Sequence, residues 1–140
     1  SSIFSKILEH CLLKLFSSFL YSADNQFGFK KGLGCNHAIF TSRKIIEQIV
    51  KDGETANLCS IDLSKAFDKV NHCALFMKLM HRHVPLCFLE LLENWFCNYV
   101  STVKWGTTYS AFFSVNFGVR QGSVLSPFLF AIYLDNIACN

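Results

Sequence analysis

Three short stretches hold residue types suited to phosphate and metal chemistry. The first in chain order is Gln26-Phe27-Gly28-Phe29-Lys30-Lys31-Gly32-Leu33-Gly34. Its mixture of aromatics, glycines and two adjacent lysines suits a nucleic-acid strand or a triphosphate, and it also describes a solvated basic loop. The second is Ser60-Ile61-Asp62-Leu63-Ser64-Lys65-Ala66-Phe67-Asp68. A carboxylate at the end of an apolar strand is costly to bury without a partner, and a cation at Asp62 would supply one. Two-metal phosphoryl transfer needs hard oxygen ligands, because Mg²⁺ takes carboxylates and phosphates. A turn after the strand would aim backbone amides at a bound phosphate. A strand that ends in Asp at a turn is also common for structural reasons alone. The third is Gly118-Val119-Arg120-Gln121-Gly122-Ser123-Val124-Leu125-Ser126-Pro127. Its glycines allow close approach of backbone to a ligand, and Arg120 and Gln121 can address a phosphate or a base edge. It also reads as a strand-to-helix loop with a good cap.

Elements must position these stretches. Ile3, Ile7, Cys11, Leu15 and Phe19 recur at helical spacing on one face of a first helix. A loop from Ser22 to Cys35 follows. A second helix is expected from His37 to Lys51, with Ile45, Ile46, Ile49 and Val50 inward and Glu47 paired with Lys51. Asp52-Gly53 stops it. Asn57 to Asp62 reads as a short strand. Asn71 is placed to cap a third helix, in which Leu75, Phe76, Leu79 and Met80 form one stripe. Pro85 marks a fourth helix, with Leu89, Leu92 and Phe96 inward. Val103 and Trp105 lead into a turn at Gly106-Thr107, and the return strand alternates through Ala111, Phe113, Val115 and Phe117. Ser126-Pro127 starts a last helix with Leu129, Ile132 and Tyr133 inside. This order predicts an α+β domain.

The bulk numbers bound the rest. At 140 residues the chain makes one domain. It is 51% hydrophobic and 16% charged, which excludes a disordered chain. A net charge of +3 permits a polyanionic partner without demanding one. No signal segment and no membrane helix is expected. The location is read as intracellular, in cytoplasm or nucleus, and not secreted. The seven cysteines are odd in number and contain no CxxC pair, so they read as buried thiols rather than a zinc site. Trp95 and Trp105 are expected in the core. His72 is expected to serve packing or capping, His81-Arg82-His83 a wet helix end, and Asp135 a solvated or capping group.

Together, QFGFKKG, DLSKAFDKVNH and GVRQGSVLSPFLFAIYLD resemble, in order, the reverse transcriptase domain of non-long-terminal-repeat retrotransposons. The similarity runs from about Asn25 to the C-terminus. It implies a partial right-hand polymerase fold, with fingers over about residues 1–56 and palm over 57–140, and an antiparallel sheet with packed helices. It implies RNA-directed DNA polymerase activity, in which a primer 3′-OH attacks a dNTP under an RNA template with two Mg²⁺ ions, or Mn²⁺, in the complete domain. In the family's pattern Asp62 would be a catalytic metal ligand, joined by the Leu63 backbone. Lys65 and Ala66 would offer amides to the triphosphate. Phe67 would lie under the sugar, where its ring would clash with a 2′-OH. Gln121 and Gly122 would pack beside the nucleotide and template. Lys30, Lys31 and Arg120 would approach nucleic acid or triphosphate.

The family's next motif is an aromatic-Ala-Asp-Asp hairpin, and the sequence holds no Asp-Asp pair. The chain therefore reads as a fragment lacking the rest of the polymerase domain, inactive by itself. A catalytically dead nucleic-acid-binding remnant is the alternative. Without that hairpin the 57–62 strand would keep an open edge, and Leu58, Ile61 and Phe130 would lose cover.

Overall fold

A computed structural model describes residues 2–135. Helix α1 spans Ile3–Phe16, α2 Cys35–Lys51, α3 His72–His81, α4 Leu86–Cys97 and α5 Ser126–Leu134. A single 3-10 turn occupies Ala66–Lys69. Four two-residue strands lie between α4 and α5: β1 (Val100–Ser101), β2 (Lys104–Trp105), β3 (Thr108–Tyr109) and β4 (Phe113–Ser114). The described residues thus combine helices with small antiparallel sheets, as the α+β expectation requires.

Local chemistry sets the helix starts. The Asn71 side chain accepts from the Ala74 amide at 3.0 Å, which satisfies one of the free N–H groups at the head of α3. Ser2 caps α1 through the Ser5 amide. Pro127 sits in the first turn of α5, where its missing N–H costs nothing. Pro85 is the residue before α4.

The strands form one interrupted hairpin. Val100 pairs with Ser114 and Ser101 with Phe113, while Lys104 pairs with Tyr109 and Trp105 with Thr108. Gly106, at φ 60°, takes the left-handed conformation that the two-residue turn needs. Between the ladders, Ser110 N–H donates to Val103 O, and Thr102 Oγ1 donates to Ser110 O. The expected alternating return strand is therefore broken into pieces, and Phe113 and Phe117 lie exposed.

The core lies where α3, α4 and α5 meet. Leu75, Leu79, Phe88, Leu92, Leu125 and Ile132 are fully buried there, with Val70 and Val119 from the adjoining loops. α5 carries no acid or base and is buried from Leu129 to Ile132. α1 docks through Leu12 and Phe16, whose ring stacks on Phe88 at 4.5 Å.

Several expectations are corrected. α1 buries Glu9 and Leu12, whereas Ile3, Ile7, Cys11 and Leu15 face solvent. It is apolar on several sides, so spacing alone did not select the packed one. α2 buries none of its residues, and Ile45 and Val50 are exposed. Glu47 pairs with Arg43 and Lys44 rather than with Lys51. Residues 57–62 form no strand, because no described strand lies alongside to complete their hydrogen bonds. Leu58 and Ile61 are open to solvent, but Phe130 is covered. Trp105 is 86% exposed, on the hairpin turn, and Trp95 is at the surface end of α4. The six described cysteines are exposed rather than buried, and Cys139 lies outside the described residues. Met80 faces outward from the α3 stripe. Arg82 is not at a wet end and Asp135 is not solvated: each is nearly buried, and they pair with each other.

Candidate functional site

The second and third motif stretches meet through their backbones. The second leaves residues 58–63 exposed and outside any helix or strand, and then turns at Lys65, whose φ of 53° reverses the chain. The 3-10 turn follows and presents carbonyls outward. Gly118 N–H donates to Val70 O and Val119 N–H donates to Phe67 O, each at 2.8 Å. Asn71 and Phe117 form an isolated antiparallel bridge beside them. A Cβ on Gly118 would stand 2.9 Å from the carbonyl oxygens of both Phe67 and Asp68. Its φ of 88° also lies in the region that favours glycine. Only glycine lets the two segments come this close.

Side chains reinforce the contact. Gln121 Nε2 donates to Asp68 Oδ1 at 3.1 Å. His72 Nε2 donates to Gly118 O at 2.7 Å, which fixes its proton on that nitrogen, and the ring stacks on Phe96. His72 thus serves packing, as expected, and also bonds the 118 loop. Asp68, Gly118, Val119, Arg120 and Gln121 line a shallow hollow with Tyr99 and Phe117.

The first motif stretch arrives through an aromatic ring. Phe29, at φ 60°, packs edge-on against Phe67 at 6.0 Å and against Phe130 at 6.4 Å. Phe67 stacks on Phe130 at 4.8 Å. Each of the three stretches, or the helix it opens, contributes one ring to this trio.

The remaining sequence candidates are placed as follows. Asp62 and Leu63 lie exposed in the 58–63 segment, and Lys65, Lys31, Arg120, Gln121 and Gly122 are exposed as well. Ala66 is half-buried against the core. Lys30 donates to Ala23 O at 2.6 Å and lies 4.0 Å from Asp24, so its ammonium holds the loop to itself. Among the described residues no group of three His, Cys, Asp or Glu gathers. The Asp62 carboxylate and the Leu63 carbonyl are hard oxygen donors, a type that suits Mg²⁺ when substrate phosphates complete its shell.

One residue was missed. Glu9 of α1 is 2% exposed. Its Oε2 accepts from Ser123 Oγ at 2.7 Å, from the Val124 amide, and from the Leu125 amide at 3.2 Å. Its Oε1 accepts from Ser5 Oγ at 3.1 Å. Burial pushes the carboxyl up, and the bonds from Ser123, Val124, Leu125 and Ser5 together outweigh it, so Glu9 ionises below the usual glutamate value. The available signal was a lone acid within an otherwise apolar and basic helix.

No described helix is long and apolar enough to cross a membrane. Residues 2–140 match the family described as reverse transcriptase (RNA-dependent DNA polymerase). The chain is 27% identical over 139 residues to a probable RNA-directed DNA polymerase from transposon BS of Drosophila melanogaster, covering 99% of this chain and 15% of that protein. It is 26% identical over 136 residues to the corresponding protein of the X-element in the same organism, covering 95% and 14%. A reverse transcriptase-like protein of Chlamydomonas reinhardtii is 28% identical over 137 residues, covering 97% and 33%. The chain thus spans a small part of the length of these relatives. No solved structure matches it. With three motif stretches drawn to one place and a family match along nearly its whole length, the chain belongs to the reverse transcriptase family, the RNA-directed DNA polymerases.

Proposed function

We propose that this chain is the fingers and palm part of a non-long-terminal-repeat retrotransposon polymerase, with residues 1–56 in the fingers and 57–140 in the palm. In the complete domain it takes part in template-directed transfer of a dNTP to a primer 3′-OH on RNA. The observation that carries the reading is the docking of the 65–70 turn on the 118–121 loop, which gathers residues from separate motifs around one hollow.

In this reading Asp62 is the catalytic carboxylate, and with the Leu63 carbonyl it would hold Mg²⁺. Bound there, the metal would offset charge on the transferring phosphoryl group. Lys65 and Ala66 bind the triphosphate. Phe67, braced by Phe130, excludes a ribose 2′-OH by its bulk. Gln121 and Gly122 lie beside the nucleotide, and Arg120 and Lys31 face the nucleic acid, while Lys30 holds the loop that carries Lys31. The arrangement orients substrate, and positioning is a large share of phosphoryl-transfer catalysis.

The 140 residues contain no Asp-Asp pair, so the chain by itself does not polymerise in this reading. RNA-templated primer extension with Mg²⁺ and dNTPs tests it. The expected result is no extension by the chain alone, and extension when a downstream segment bearing an Asp-Asp hairpin is fused, lost again in D62A. Extension by the isolated chain that D62A abolishes would overturn the inactivity. Fused chains that bind primer–template yet never extend it would point to a nucleic-acid-binding remnant instead. Phosphate contacts would show as a negative slope of log affinity against log salt.

A further inference from the structure

We infer that Glu9 is a positioning residue, holding the 118–125 loop in the one placement that sets Gln121 against Asp68. The inference deepens the proposed nucleotide site and rests on it only for the meaning of Gln121.

The argument starts from cost. An ionised carboxylate that is 2% exposed loses nearly all its water, and that loss must be offset by donors. Glu9 has four, and three of them come from the consecutive residues Ser123, Val124 and Leu125. One oxygen gathers these three, at a turn where successive amides point inward. The Ser123 hydroxyl meanwhile accepts from the Ser126 amide at the head of α5. Glu9 therefore fixes the loop end next to α5, while the Gly118 and Val119 bonds fix the other end against residues 67–70. Gln121 lies between the two anchors. Arg120 and Tyr99 line the same small cavity as Glu9, with Trp95, Phe96 and Leu92. No cation is paired with Glu9 among the described residues, so its charge is held by uncharged donors alone.

Hydrogen exchange read by mass spectrometry tests this on the 140-residue chain. E9A is expected to speed exchange of the 118–125 amides by ~10-fold or more, the scale of losing one charged hydrogen bond. Gly118 and Val119 belong to that set although Glu9 does not touch them. The α3 amides should exchange as in the wild type. E9Q keeps an oxygen acceptor and should recover part of the protection. If E9A speeds α3 and the loop alike, Glu9 acts only on global stability and the inference fails. It also fails if the loop is unchanged. Should E9A not fold, S123A removes one donor and is expected to loosen the same amides by a few-fold. Addition of dATP with Mg²⁺ separates the two readings. Loop loosening in E9A beside a wild type that shows no added protection at 118–122 would fault the nucleotide site and support the positioning role.

Discussion

Arg82, just past the end of α3, forms an ion pair with Asp135, just past the end of α5, and both side chains are nearly buried. The Ala23 amide donates to the other Asp135 oxygen at 3.0 Å. Arg82 also donates to Tyr21 O and lies over the Tyr21 ring. Lys78 donates to the carbonyls of Tyr133 and Asp135 at 2.6 Å. Two helix ends and the 21–23 loop are thus joined at one carboxylate.

Removing one member of such a pair leaves a charge without compensation. D135N or R82M should each cost about 3 kcal/mol of unfolding free energy. The double variant R82M/D135N should cost less than the sum of single losses, because no orphan charge remains. Urea denaturation of the four proteins measures the coupling, and additive losses would mean that the pair is not energetically linked.

The loop glycines separate two kinds of strain. G122A meets no atom within 4 Å but must hold φ 76°, so it should cost about 1 kcal/mol. G118A has the same backbone problem and also drives a Cβ into two carbonyl oxygens. It should cost roughly 3 kcal/mol and open the 67–70 contact. Thermal midpoints rank the two, and equal losses would contradict the close approach.

Acid should weaken the fold through Glu9. Its folded value lies below the unfolded one, so the unfolded chain takes up the proton more readily. The stabilisation it gives is present above the unfolded glutamate value and is lost as pH falls through the folded value. Stability measured from neutral pH downward should therefore fall more steeply in the wild type than in E9Q. Parallel curves would remove Glu9 as the source.

Uncovered apolar residues should make the chain associate. Leu58 and Ile61 are 79% and 81% exposed on a segment that pairs with no strand among the described residues. Light scattering at ~20 μM should show oligomers, and L58K/I61K should reduce them by removing the apolar edge. A wild-type monomer at that concentration would contradict the expectation.

What was legible in the sequence had local causes. The Asn71 cap, the Pro127 helix start and the Gly106-Thr107 turn depend on neighbours a few residues away, and each stands as read. The Leu89, Leu92 and Phe96 face held, with Glu90, Glu93 and Asn94 exposed opposite it. α1 misled because Leu8, Leu12, Leu13, Leu15 and Phe16 leave more than one apolar side to choose from. The choice was made by Phe88 and by the amides of 124 and 125, which no window on α1 contains. Asp135 does cap α5, as one of its two readings had it, but its burial was not legible, since Arg82 and Ala23 reach it from far away in the chain. The motifs named the hollow's residues, but not that Gly118 lets two of them interlock.

The Glu9 to Ser123 bond joins residues 114 positions apart. A ribosome makes α1 among the first elements of these 140 residues, yet the donors for its carboxylate emerge more than a hundred codons later. Until then Glu9 remains hydrated, and Phe16 waits for Phe88, which is made well after it, while α5 is still to come. Closing so long a loop is entropically costly and slow. The nascent chain therefore carries an apolar helix without its full seat through most of the synthesis of these 140 residues, a period in which chaperone binding competes with aggregation.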